Sequence, residues 1–170
     1  MLLAASLNKV GAPQPLQLKT FPIGNSGYRI NCITRRQNLP INQASQSKSF
    51  FAGEWDEGAL TYGVVLLQYA AMAVVPTDAD LLLCTFTQRL QKAYNIAHTE
   101  TAERWQGVNP KEYGFVEYWQ DHTGTDWKAR GCCNGQTLAL LFVKNIGAGC
   151  SLAQDYFLNS FSFQNGSLSA

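Results

Sequence analysis

GFVEYWQDHTGTDWKARGCCNGQTLALLFV, residues 114–143, holds three runs of alternating side chains separated by two short polar breaks. Alternation over four to eight residues is the mark of a half-buried strand, and Asn-Gly between two such runs marks a tight reversal, because both residues accept positive φ. A two-residue turn at Asn134-Gly135 sets Cys133 opposite Gln136, Cys132 opposite Thr137, Ala129 opposite Leu140 and Trp127 opposite Phe142. Successive side chains of a strand point to opposite faces. One face then carries Trp127, Ala129, Cys133, Leu138, Leu140 and Phe142; the other carries Lys128, Arg130, Cys132, Thr137, Ala139, Leu141 and Val143. The adjacent cysteines point apart, so they cannot converge on one metal ion, and a disulfide between neighbours would strain the peptide.

Carrying the register back through a four-residue loop, DHTG at 121–124, pairs 112–119 with 125–133 and sets Glu117 opposite Lys128, an attractive cross-strand pair. Val116 and Tyr118 then join the apolar face. The opposite face gathers Tyr113, Phe115, Glu117, Trp119, Lys128 and Arg130, a mixture of rings and charges suited to a binding surface unless a second layer covers it.

Outward from this ribbon, LQLKTF (16–21) and GYRINCI (27–33) read as opening strands, and SFFAGEW with ALTYGVVLLQY as a hairpin turning at 56–58. Between them, 34–48 is polar and aperiodic, an exposed loop carrying Arg35 and Arg36. Ala79, Leu82, Leu83, Phe86, Leu90 and Ala93 form one apolar stripe of a helix over 78–94, capped by Thr77 or Asp78. HTETAERW reads as an edge strand, and GVNP turns the chain. At the end, Ser151 with Gln154 fits a capping box for a short helix, followed by an alternating strand at Phe161 and Phe163. These elements make an α+β fold on a mostly antiparallel sheet.

The 170 residues suit one domain, spanning 16–164 between tails at 1–15 and 165–170. Thirteen basic against twelve acidic residues leave a net charge of +1, which argues against general nucleic-acid binding. No run of about 20 apolar residues exists to insert in a membrane. The N-terminal MLLAASL is apolar but short and lacks preceding basic residues; it reads as a tail or as the stub of a removed export signal, so cytoplasmic and exported locations both stay open.

Five cysteines, at 32, 84, 132, 133 and 150, show no CxxC spacing, and no metal-ligand set or cofactor motif stands out. The Gly147-x-Gly149 stretch lacks the lysine of a phosphate loop. A Cys132–His122 dyad fails on distance, since the strand 125–133 separates them at about 3.3 Å per residue. Asp121 and His122 read as an exposed turn, with a metal or acid–base role as the alternative.

GYRINCI, LTYGVVLLQY, the helix at 78–94, QGVNPKEYGFVEY, the WKAR strand and FLNSFSF occur in an order that resembles the PsbP-like superfamily over about 16–164. That resemblance implies an α/β/α sandwich, relatives in bacteria and cyanobacteria, and roles in assembly and binding without a shared catalytic constellation, so no active-site residue or cofactor carries over. The expectation is a non-enzymatic module that binds a protein through Tyr113, Phe115, Trp119, Lys128 and Arg130, or through the loop with Arg35 and Arg36. A second copy of the chain is one candidate occupant. The competing class is a small hydrolase or thiol-dependent enzyme, using Cys132, with a pocket between sheet and helix.

Overall fold

The computed structural model describes residues 15–43, 49–68, 76–149 and 151–163, the side chains of 76–78 excepted. The expected tails, the 44–48 part of the loop, the cap at Thr77 or Asp78, and Cys150 lie outside the described residues. Strands β1 (Gln17–Pro22) and β2 (Arg29–Thr34) form a hairpin of their own. β3 (Asn42–Gln43), β4 (Phe50–Glu57), β5 (Leu60–Gln68), β6 (Ile96–Gln106), β7 (Tyr113–Asp121), β8 (Asp126–Cys133) and β9 (Thr137–Lys144) build one antiparallel sheet in the order β3-β4-β5-β9-β8-β7-β6. Helix α1 (Pro76–Ala93) follows β5, and α2 (Ser151–Leu158) follows β9 after a single 3-10 turn at Ile146–Ala148. The fold is α+β on antiparallel sheets.

The two sheet faces bury different cores. Trp127, Ala129, Cys133, Leu138, Leu140 and Phe142 pack with Ala79, Leu83 and Phe86 of α1. Cys132, Ala139, Leu141 and Val143 pack on the other side with Phe21 and Ile30 of the β1–β2 hairpin and Phe157 and Leu158 of α2. The alternation expected over 127–143 is therefore present, and the cysteines do face apart. The register differs. Cys133 pairs with Leu138 and Trp127 with Lys144, because the reversal takes four residues: Asn134 Oδ1 accepts the N–H groups of Gln136 and Thr137 at 3.0 and 2.8 Å. A shift of two leaves every side chain on its face.

The preceding turn changes more. Gln120 pairs with Asp126, so the loop holds five residues, and Glu117 faces Ala129 while Tyr118 faces Lys128. Asp121 imposes that length. Its Oδ1 accepts the Thr123 and Thr125 N–H groups at 2.9 and 3.0 Å and the Thr123 hydroxyl at 2.6 Å, while Oδ2 accepts the Trp127 indole at 3.0 Å. The slip of one exchanges the faces of β7: Phe115 and Trp119 enter the α1 core, with Tyr113 packed against its edge, and Val116 and Tyr118 turn to the α2 side.

A ring–glycine pair fixes this register, and two more fix those of β6 with β7 and β5 with β9. Trp105 lies over Gly114, Phe115 over Gly131 and Phe142 over Gly63, and in each case a Cβ on the glycine would meet the ring at 2.1–2.2 Å. A ring laid on a strand glycine fills the space its missing side chain leaves. Two smaller expectations also change. Residues 39–43, read as open loop, hold β3 and rest Leu39 and Ile41 against the core. Phe161 and Phe163 form no strand; their rings meet edge-to-face at 5.2 Å and close the end of the α2 core. The Gln154 side-chain amide donates to the Ile146 carbonyl at 3.0 Å, tying the first turn of α2 to the 3-10 turn before it.

Candidate functional site

Helix α2 packs beside β2 and over β9, and reaches β8 through polar side chains. Lys128 Nζ donates to Asp155 at 2.8 Å, and Arg130 Nη1 donates to Asn159 Oδ1. Beyond β8, no helix among the described residues covers the α2 side of β7 and β6. The pairing lays out rows of residues across this strip: Glu100, Tyr118 and Lys128; Glu103, Val116 and Arg130; Trp105, Gly114 and Cys132. Tyr118, a large ring in mid-sheet, is 40% exposed. Lys128 stands 5.6 Å from its ring centroid and Arg130 5.7 Å from that of Trp105, so both cations lie over aromatic faces.

Hollows open at both ends of the strip. One, of about 350 Å³, is bordered by His98, Glu100, Tyr118, Gln120 and Asp126. The other, of about 240 Å³, has Trp105, Arg130, Cys132, Phe161 and Phe163 in its walls. Lys128 loses hydration where it sits, but the Asp155 carboxylate more than offsets this and raises its pKa. Its charge is held firmly in place.

The expected binding residues therefore separate. Lys128 and Arg130 lie on the strip. Phe115 and Trp119 are buried under α1 against the opposite face, and Tyr113 packs there with its hydroxyl 3.2 Å from the Gln106 amide. Glu117, on that same face, is 7% exposed, and its carboxylate accepts from the Trp119 indole at 2.7 Å and from Gln91 at 3.1 Å. Arg35 and Arg36 are exposed between β2 and β3, where Arg36 Nη2 donates to the Asp56 carbonyl. Tyr118 and Trp105, central to the strip, escape a reading that places Tyr118 in the core and Trp105 on a plain edge. The signal that finds them is the spacing of rings and glycines, Trp105 with Gly114 and Phe115 with Gly131, which fits one register alone.

The groups considered for catalysis are occupied otherwise. Cys132 is 2% exposed, and burial pushes its thiol pKa up, with the Arg130 charge only partly opposing this. A buried thiol of raised pKa is a poor nucleophile. At Asp121 desolvation works against ionisation, but the four hydrogen bonds it accepts outweigh this and hold its pKa down to about 2. This carboxylate shapes the loop. Among the described residues no group of three or more His, Cys, Asp or Glu side chains is placed to hold a metal, and no helix is long and apolar enough to cross a membrane.

The chain thus belongs to the class of α+β proteins with an antiparallel sheet and a helix against each face. No protein-family model and no curated protein sequence matches it. Among solved structures it is similar to PA94 from Pseudomonas aeruginosa, a protein of unknown function, at 12% identity and a TM-score of 0.36, covering 77% of this chain and 87% of that one. A likeness at that level bears on neither fold family nor activity.

Proposed function

We propose that this chain is a non-enzymatic binding module of PsbP-like α/β/α architecture that holds a protein partner on the strip of sheet between β6 and α2. The observation that carries the reading is Tyr118, a ring exposed in mid-sheet with Lys128 poised over it and Glu100 in the same row. Aromatic and cationic groups side by side are the usual anchors of protein interfaces. Helices against both faces and the order of PsbP-like phrases support the architecture. The thiol-enzyme alternative has no such support, because Cys132 is buried.

The test places a photo-crosslinking amino acid at Tyr118, at Leu81 on the outer side of α1, or at Arg35, and irradiates the living source cells. The reading expects one discrete protein adduct from position 118, absent from 81 and 35, and reduced about tenfold by Lys128→Glu. No adduct from 118, or an equal adduct from 35, would refute it.

A further inference from the structure

Arg130 is the one cation of the strip whose charge lacks a carboxylate among the described residues. Lys128, the other, takes Asp155. Arg130 instead gives Nη1 to the neutral Asn159, lies against the Trp105 ring, and keeps a buried Nε–H with no hydrogen-bond partner. A buried donor without a partner is unfavourable. Its side chain also hydrogen-bonds Cys132, so the guanidinium keeps its positive charge beside a thiol and a neutral amide and not beside a carboxylate.

Arg130 also lines the cavity of about 240 Å³, whose other walls are the rings of Trp105, Phe161 and Phe163, the Cys132 thiol and Glu112. That volume admits a body of about one large side chain. Glu112 packs over Gly107, where it makes the cavity a poor place for a doubly charged anion such as phosphate.

We propose that this cavity binds a single carboxylate carried on an apolar or aromatic group, with the Arg130 guanidinium taking the carboxylate and the Trp105, Phe161 and Phe163 rings enclosing the body. The site adjoins the strip but does not depend on a partner crossing it. A free aryl or aliphatic acid and the C-terminal residue of a peptide present the same chemistry.

The full chain is titrated with 3-phenylpropionate, its amide, inorganic phosphate, and a tripeptide ending in Phe as free acid or amide, following the Trp105 indole N–H resonance by NMR. The acid is expected to bind at least about tenfold more tightly than its amide. Arg130→Met should abolish that preference, and phosphate should not compete. A free-acid tripeptide that binds more tightly than 3-phenylpropionate identifies a chain terminus as the source; the reverse order identifies a small acid. Equal binding of acid and amide by the unaltered protein, or no saturation by either acid up to about 10 mM, overturns the proposal without touching the Tyr118 crosslink.

Discussion

Gly131→Ala tests the register on which the strip depends. Gly131 pairs with Phe115, and a Cβ added there would lie 2.2 and 2.3 Å from two ring carbons. To regain ordinary contact at 3.4 Å the ring would have to retreat by about 1.2 Å. It has no room, since Phe115 is buried in the α1 core with Trp119, Ala129 and Phe86. Overpacking of this kind costs about 1–3 kcal/mol. In a chain of this length that lowers the melting temperature by about 3–10 °C. Phe115→Leu removes the obstructing ring edge, so the double variant Gly131→Ala/Phe115→Leu should be more stable than the sum of the two single losses predicts. The assay is urea and thermal denaturation of the four proteins. With Glu117 opposite Lys128, Phe115 would sit opposite Arg130, on the face away from the α1 core, and the two substitutions would be additive. Additivity, or a melting temperature for Gly131→Ala within about 1 °C of the parent, refutes the pairing of Phe115 with Gly131.

In a Cys150→Ser background, Cys84 should be the thiol that reacts with an aromatic disulfide reagent under native conditions. It is partly exposed, with the Arg104 guanidinium 3.8 Å from its sulfur, whereas burial pushes the Cys32 pKa up to about 11 and raises those of Cys132 and Cys133. Cys84→Ser should remove the fast phase, and a fast phase lost in Cys132→Ala instead would return the thiol-enzyme reading. Asp121, with its pKa held at about 2 against an ordinary 3.9, contributes stability that is complete above about pH 4 and lost as the pH falls through 2. Asp121→Asn should therefore be less stable than the parent near pH 6 by about 1 kcal/mol after solvent screening, and the gap should close by pH 2 in urea titrations. A gap that widens toward low pH would be the wrong sign.

What the sequence reveals of this fold follows from parity. A strand face repeats every two residues, so the faces of 127–143 survive an error of two in the Asn134 turn, and the opposed cysteines follow from either turn length. An error of one at Asp121 exchanges the faces of β7, because five loop residues stand where four are the simpler count. Alternation cannot detect this: Tyr113, Phe115, Glu117 and Trp119 alternate with Gly114, Val116 and Tyr118 under either count. Charge pairing chooses wrongly, since Glu117 is satisfied inside by Trp119 and Gln91 and Lys128 is satisfied across layers by Asp155. Both partners are tertiary. Steric exclusion chooses correctly, because a ring can lie flat on a neighbouring strand where that strand has glycine, and three such pairs must hold together.

The strip adds a second condition that lies outside any single strand. Its inner boundary is where α2 ends its cover, set by Asp155 and Asn159 gripping Lys128 and Arg130 from above. Asp155 lies in α2 and Asn159 one residue past its end, where its N–H still bonds the Asp155 carbonyl at 2.9 Å; the grips are four residues apart there and two apart on the strand, about 6 Å in each case, so one helical turn matches two steps of strand. These two contacts tie α2, which packs on β2 and β9, to β8 and leave Tyr118, one strand further out, without such a contact. The same two contacts that fasten the helix therefore create the open surface, and loosening them by Asp155→Ala should change the exposure of Tyr118 and the hold on Arg130 together.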